Sequence, residues 1–225
     1  MEIYQFLSSP RQTAFAPEWS YVLGEDTITG IDYKQIATIV LSKETEIVAN
    51  FPSYANADAY TGLGENSLTS RFKYFNVFAW EDAEIEKLKD KIFENYKEFL
   101  NKLNVPRRKV WIQCWANVLR KNEEMKPHIH SVHPFSYLGG HISIQCDNTS
   151  TVYINPVNQI NDPEILDSPN NVGKITIFQN CIPHYTTLHS ADSERITIAF
   201  DLIVDEQLPN MMEDHVSNLV LFDNI

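Results

Sequence analysis

Three short stretches of this 225-residue chain carry residue types whose spacing could do chemistry together: Lys126-Pro127-His128-Ile129-His130, Ile182-Pro183-His184-Tyr185 and Arg195-Ile196-Thr197. Two histidines at i and i+2 of an extended segment project from one face, so both imidazoles can reach a single ion. A third ligand from a distant strand completes three corners of an octahedron and leaves the others open. Non-haem Fe(II) centres that activate oxygen are built this way. Arg195 can hold a carboxylate through two parallel hydrogen bonds, and the Thr197 hydroxyl, on the same face two residues on, can add another. The expectation is a metal centre held by His128, His130 and His184, with an anion anchor beside it.

The remaining histidines fit that centre less well. His133 lies five residues after His128 and falls on the opposite face of an extended segment, while His141 sits in an interior strand and would have to cross the cavity to join the ion. His130 is therefore preferred as third ligand over His133, His141 and Asp147. His141 either lines a cavity or packs in the core, and Tyr153 is a further candidate for the lining. His189 and His215 fall in polar loops and are expected to be solvated. Cys181 is close to His184 in sequence, but no oxyanion site accompanies it, so a Cys-His nucleophile is not indicated. Gln113, Trp115 and Asn117 alternate on one face of a strand and either line the pocket or pack within the sheet.

Composition bounds what such a site can belong to. With 43% hydrophobic and 12% aromatic residues the chain can bury a sizeable core, and its length suits one domain. A net charge of -12 argues against broad binding to nucleic acid or anionic membranes, which needs clustered Lys and Arg. The basic run Arg107-Arg108-Lys109 reads as a solvated turn before a strand. Three cysteines without C-x-x-C spacing suggest free thiols in a reducing compartment. No basic patch precedes an apolar run at Met1, and no window is long and apolar enough to span a membrane, so a cytoplasmic protein is expected.

The elements that must position these residues divide into helices first and strands afterwards. Residues 1 to 24 read as an ordered arm over the core. Apolar positions from Asp32 to Val48 and from Glu81 to Leu103 recur at three- and four-residue intervals and predict two helices, the charges of the second forming a solvated face. Tyr60 to Ser67 is a glycine-bearing loop able to form an active-site lip. Beyond Pro106, strands are predicted at Val110 to Leu119, Tyr137 to Cys146, Thr151 to Ile154, Lys174 to Phe178 and Ile196 to Val204. The fold class is mainly β with flanking helices, a sandwich or barrel covered on one side by the N-terminal helices.

The chain resembles the 2-oxoglutarate- and Fe(II)-dependent oxygenases, among them small members found in bacteria and their tailed phages. The likeness runs from about Gly62 to Asp201. It rests on Trp111-Ile112-Gln113-Cys114-Trp115-Ala116-Asn117-Val118, on the H-x-H stretch, on Tyr137-Leu138-Gly139-Gly140-His141, on Gly173-Lys174-Ile175-Thr176-Ile177-Phe178, on Ile182-Pro183-His184-Tyr185 and on Arg195-Ile196-Thr197-Ile198-Ala199-Phe200-Asp201. The resemblance implies a double-stranded β-helix of the jelly-roll, cupin-like type. It implies a single oxygenase domain with an arm and supporting helices over 1–105, the jelly-roll core over 106–205 and a tail over 206–225. It further implies that the chain is a dioxygenase using Fe(II), O2 and 2-oxoglutarate as cosubstrate. Arg195 and Thr197, with Gln113 and Asn117, would bind the cosubstrate, and an unidentified substrate would be hydroxylated with release of succinate and CO2. If phage-encoded, the protein would work in the host cytoplasm. His130 stands where the family usually has a carboxylate, which removes one negative charge from the ligand set. A three-histidine cupin-type dioxygenase without cosubstrate accounts for H-x-H equally well but leaves Arg195 and Thr197 without a role. A non-catalytic β-sandwich binding module would bind no stoichiometric metal.

Overall fold

Alternating apolar residues in the second half of the chain build strands, and the three-to-four-residue periodicity of the first half builds helices that cover one sheet. A computed structural model describes residues 1–53, 60–156 and 164–225. In chain order the elements are β1 (Glu2–Leu7), β2 (Ser20–Thr27), α1 (Tyr33–Asn50), α2 (Ala83–Leu103), β3 (Val110–Leu119), β4 (Leu138–Gln145), β5 (Ser150–Ile154), β6 (Ile165–Pro169), β7 (Lys174–Gln179), β8 (His184–Thr186), β9 (Arg195–Val204), α3 (Glu213–Val216) and β10 (Val220–Asp223). Among the described residues the strands form a seven-stranded sheet, ordered β1-β2-β7-β4-β9-β3-β10, and a three-stranded sheet, ordered β6-β5-β8. Every pairing is antiparallel. The two sheets form the double-stranded β-helix that the family resemblance implies.

The two long helices, α1 and α2, each begin where a carboxylate caps them. Asp32 accepts from Gln35 N at 3.0 Å and Asp82 from Glu84 N at 2.8 Å, satisfying amides that have no partner within the helix. α2 stops at Asn104, which takes up the left-handed conformation (φ 53°) that ends many helices. Its buried face, Ile85, Leu88, Ile92, Tyr96 and Phe99, joins one core with Ile36 and Val40 of α1 and with Ile142, Ile175, Ile196, Ile198 and Phe200 of the large sheet. Each such aliphatic or aromatic side chain contributes roughly 1.5–3 kcal/mol on burial.

β9 divides the molecule by parity. Its even-numbered residues from Ile196 to Leu202 face the helices, and its odd-numbered residues, Arg195, Thr197, Ala199 and Asp201, face a cavity lined from both sheets. β3 lies on one side of β9, pairing Asn117 with Thr197 and Trp115 with Ala199. β4 lies on the other, pairing His141 with Ala199 and Gly139 with Asp201. One row of one strand thus sets the floor of the site.

The ends of the chain belong to the large sheet. The segment read as an arm supplies β1 and β2, and β2 pairs with β7. The last residues supply β10 on the edge of β3. The run Arg107-Arg108-Lys109, largely solvent-exposed just before β3 as expected, also ties this C-terminal segment down. Arg107 donates to Asp223 at 2.9 and 2.6 Å, Arg108 to Glu206 at 2.6 Å, and Lys109 Nζ lies 2.9 Å from Asp205. Among the described residues no helix is long and apolar enough to cross a membrane.

Candidate metal centre and its anion pocket

Main-chain hydrogen bonds set the three histidines in place. His128 and His184 form an antiparallel bridge, with His128 N donating to His184 O at 3.1 Å and His184 N to His128 O at 3.0 Å. The segment preceding β4 is thereby stitched to the edge of the small sheet. His130 N donates to Asn180 O at 3.0 Å, which puts its ring on the same side as that of His128. Ring centroids lie 4.4 Å apart for His128 and His184, 5.1 Å for His130 and His184, and 5.9 Å for His128 and His130. One ligand atom from each lies within 4.8 Å of the other two, so the triad is placed to bind a metal.

The second nitrogen of each ring is also accounted for. Nδ1 of His128 lies 2.8 Å from Lys126 O, Nδ1 of His184 lies 3.0 Å from Ile182 O, and Nδ1 of His130 lies 2.5 Å from Asp201 Oδ1. These acceptors place the ring protons on Nδ1 and make Nε2 the atom each ring presents to an ion. Burial, reinforced by neighbouring His128 and His130, holds His184 well below the usual histidine pKa, in the neutral form that ligates metals.

The triad opens into a cavity of about 100 Å³, which is also lined by Arg195, Thr197, Asn117, Trp115, His141 and Asp201. Arg195 is 1% exposed, its Nε donates to Thr149 Oγ1 at 3.2 Å, and one terminal nitrogen has no partner. Burial lowers its pKa to about 10, which still leaves a cation at neutral pH. Among the described residues no carboxylate pairs with it. A buried unpaired charge is costly unless a ligand completes it, and a carboxylate from solution has the matching charge and shape. The donor set of three imidazoles beside an incompletely satisfied guanidinium fits Fe(II) with a dicarboxylic cosubstrate.

His141 lines the same cavity with its Nε2 2.6 Å from Tyr153 Oη and its Nδ1 without a partner. Burial, with Arg195 adding to it, drives its pKa down to about 3, so the ring is neutral. Tyr153, expected as lining, instead stands wholly buried behind the cavity wall and supports His141 from there. Gln113 is a second correction. It shares the strand face of Trp115 and Asn117 but lies outside the cavity, because its Nε2 clamps the carbonyls of Phe72 and Phe75, each at 2.7 Å. Asn117 remains in the lining and accepts from Thr69 Oγ1 at 2.5 Å.

His133 stays outside the triad, exposed, with Nδ1 accepting from Phe135 N at 3.1 Å. His189 is not solvated as its polar loop suggests. It is fully buried, its Nε2 2.5 Å from Ser193 O. His215 is half-buried, packing edge-on against Phe72 with Nε2 unpartnered. In the expected lip, Thr61 lines the cavity and its carbonyl accepts from Lys126 N at 2.7 Å.

Several residues of the site went unnoticed as such in the sequence: Thr69, Thr149 and Phe178, and above all Asp201 and Gly139. A Cβ added to Gly139 would lie 2.6 Å from Asn180 Oδ1, 2.9 Å from His130 Nδ1 and 3.0 Å from Asp201 Oδ1. The only available signal was parity, since Asp201 is six residues beyond Arg195 and hence on the same face.

No protein-family model matches the chain, and a comparison with curated proteins gives no match. Solved structures do share its fold. A prolyl hydroxylase in complex with a hypoxia inducible factor oxygen degradation domain peptide fragment, from Trichoplax adhaerens, is 10% identical, with 84% of this chain and 88% of that one covered and a TM-score of 0.56. The non-haem alpha ketoglutarate dependent carbocyclase SnoK from nogalamycin biosynthesis is 10% identical, with 90% and 88% covered and a TM-score of 0.52. The epimerase SnoN, in complex with Fe3+, alpha ketoglutarate and nogalamycin RO, is 9% identical, with 82% and 78% covered and a TM-score of 0.50. Alpha ketoglutarate is 2-oxoglutarate, and the fold shared with these proteins is that of 2-oxoglutarate-Fe(II) oxygenases.

Proposed function

We propose that this chain, with the fold of the 2-oxoglutarate-Fe(II) oxygenases, is itself a dioxygenase that consumes 2-oxoglutarate and O2 at an iron held by His128, His130 and His184. The observation that carries this reading is the presence, in one cavity, of three histidines whose ligand atoms lie within 4.8 Å of one another and a buried Arg195 with an unpartnered nitrogen. A three-histidine dioxygenase without cosubstrate would leave that guanidinium buried to no purpose, and a binding module would explain neither feature. The SnoN complex, which holds Fe3+ and alpha ketoglutarate on the same fold, supports the choice of metal and cosubstrate.

The residues have separable tasks. Arg195 binds the distal carboxylate of the cosubstrate, with the Thr197 hydroxyl beside it on the same strand face. Asn117, oriented by Thr69, contributes a polar group to the same wall. Trp115 and Phe178 line the cavity and keep water from the reacting groups. Bound iron supplies the one-electron oxygen chemistry that protein side chains lack, with succinate and CO2 as coproducts and hydroxylation of an unidentified substrate as the outcome. A reducing compartment such as the cytoplasm suits Cys114, Cys146 and Cys181, all of which are free thiols.

The test is direct. Protein loaded anaerobically with Fe(II) should bind one iron and one 2-oxoglutarate per chain, and on exposure to O2 should release succinate slowly without any added substrate. Iron bound with no affinity for 2-oxoglutarate would favour the three-histidine reading, and no stoichiometric metal would favour the binding module.

A further inference from the structure

The metal triad contains no carboxylate, yet a carboxylate stands immediately behind it. Asp201 Oδ1 lies 2.5 Å from His130 Nδ1, a close contact between a carboxylate and a ring nitrogen. The His130 side chain is 7% exposed and that of Asp201 22%, so the contact is shielded from bulk water. Among the described residues Asp201 has no lysine or arginine partner, and His130 is the group its carboxylate bonds, with His215 near enough to feel its charge. The backbone enforces the meeting from three directions. Asn180 O fixes the amide of His130, β9 fixes Asp201, and on β4 the residue paired with Asp201 is Gly139, whose missing side chain leaves the room the contact occupies.

We propose that Asp201 returns to the metal centre, through the His130 ring, the negative charge that a directly ligating carboxylate would otherwise supply. The inference rests on His130 being a ligand. The Nδ1 proton stays on the ring and is held by the carboxylate, which raises electron density at Nε2 and makes His130 a more basic ligand than His128 or His184, whose Nδ1 protons face neutral carbonyls. A charge moved one ring outward still offsets part of the double positive charge of the ion, because little water intervenes. His130 and Asp201 together therefore do the work of one carboxylate ligand. Asp201 is a positioning and charge-supplying residue, one shell removed from the metal.

The experiment measures anaerobic Fe(II) affinity by competition with a chromogenic chelator, together with the melting temperature of the metal-free protein, for four chains: wild type, Asp201→Asn, His130→Asp, and the double variant. Expected is a loss of roughly 10- to 100-fold in Fe(II) affinity for Asp201→Asn against wild type, the range seen when a carboxylate behind a ligating histidine is removed. In the His130→Asp background the carboxylate ligates directly, so Asp201→Asn should bring no loss, or a gain as two like charges separate. No loss in the wild-type background overturns the proposal. So does an equal loss in both backgrounds, which would mean a purely structural role, and so does a His130→Asp chain unable to bind Fe(II). If wild type itself binds no Fe(II), the metal-centre reading fails first, and the two failures are told apart.

Discussion

His128 and His184 exchange both main-chain hydrogen bonds, at 3.1 and 3.0 Å, although 56 residues separate them along the chain. Two of the three candidate ligands are therefore brought together by the backbone itself. The metal-free site should be preformed, and the amides of His128 and His184 should exchange slowly with solvent in the absence of any ion. Hydrogen exchange on the apo protein checks this. Metal then stabilises by mass action alone, about 2.7 kcal/mol at a free Fe(II) concentration 100 times the Kd. A local disorder-to-order transition on metal addition would contradict the preformed site.

Replacing each candidate ligand separates the triad from its neighbours. His128→Ala, His130→Ala and His184→Ala should each abolish stoichiometric iron binding, while His133→Ala, whose ring faces Phe135 N and the exterior, should retain it. Metal analysis of the four purified variants decides. One iron per chain in His130→Ala would mean the ligand set is wrong.

Arg195→Ala should weaken 2-oxoglutarate binding by on the order of 2 to 5 kcal/mol while sparing the metal, since it removes one partner of a largely desolvated charge pair. Arg195→Met sharpens the point. It keeps much of the apolar volume and removes a buried charge that no carboxylate among the described residues satisfies, so the cosubstrate-free protein should become more stable by about 1 kcal/mol or more even as cosubstrate binding is lost. Calorimetry and urea unfolding on the same preparation read both halves. Unchanged affinity for 2-oxoglutarate would remove Arg195 from the pocket's function.

The sequence carried these relationships unevenly, and the reasons are physical. His128 with His130, and Arg195 with Thr197, were legible because each pair shares a face through the two-residue period of a strand, a rule that operates within one segment. The two long helices and the strands β3, β4, β5, β7 and β9 were legible through their own periods for the same reason, whereas the short β6, β8 and β10 offer too few residues for a period to show. The contact of Asp201 with His130 spans 71 residues and depends on register between segments, which no local period encodes. Gln113 shows the converse failure. Its parity is that of Asn117, but the backbone at Phe72 and Phe75 covers that end of β3 and takes its amide. β1 and β2 were read as an arm because most of their residues are exposed or only partly buried, so their patterning is weak.

The buried His141 gives the metal-free protein a defined acid response. Its folded pKa of about 3 lies below the usual 6.5, so between these values the unfolded chain binds the proton and the folded chain does not. Stability is fully present above about pH 6.5 and falls as the pH drops toward 3, by on the order of 1.4 kcal/mol per pH unit for one such group. His184, also held below the usual value, adds in the same direction. His141→Gln should flatten the slope by one proton's worth in urea unfolding at pH 4.5, 5.5 and 7.5. An unaltered slope would mean that His141 accepts a proton in the folded state.

Gly139 and Gly140 make the final prediction, because they are adjacent in β4 and face opposite sides of it. An alanine methyl at Gly139 would enter the space where His130 Nδ1, Asp201 Oδ1 and Asn180 Oδ1 meet, all at or within 3.0 Å of it. Neither Gly139 nor Gly140 has a positive φ, so alanine is permitted by the backbone and the effect of each substitution is one of space. At Gly139 the imidazole, the carboxylate or the Asn180 amide must move, and the pair that gives way most readily is the one not anchored by β9. His130 should therefore tilt away from His128 and His184, lowering iron affinity by on the order of tenfold, comparable with removing the hydrogen bond behind the ligand. At Gly140 the methyl points the other way, 2.7 Å from both Phe200 Cε2 and Thr176 O, into the core beneath the helices. Gly140→Ala should cost about 1–3 kcal/mol of stability by overpacking, with iron affinity close to that of wild type in the fraction that stays folded. Urea unfolding and anaerobic iron titration of both variants test the contrast. Equal iron affinities in the two would show that the space behind His130 does not govern its geometry.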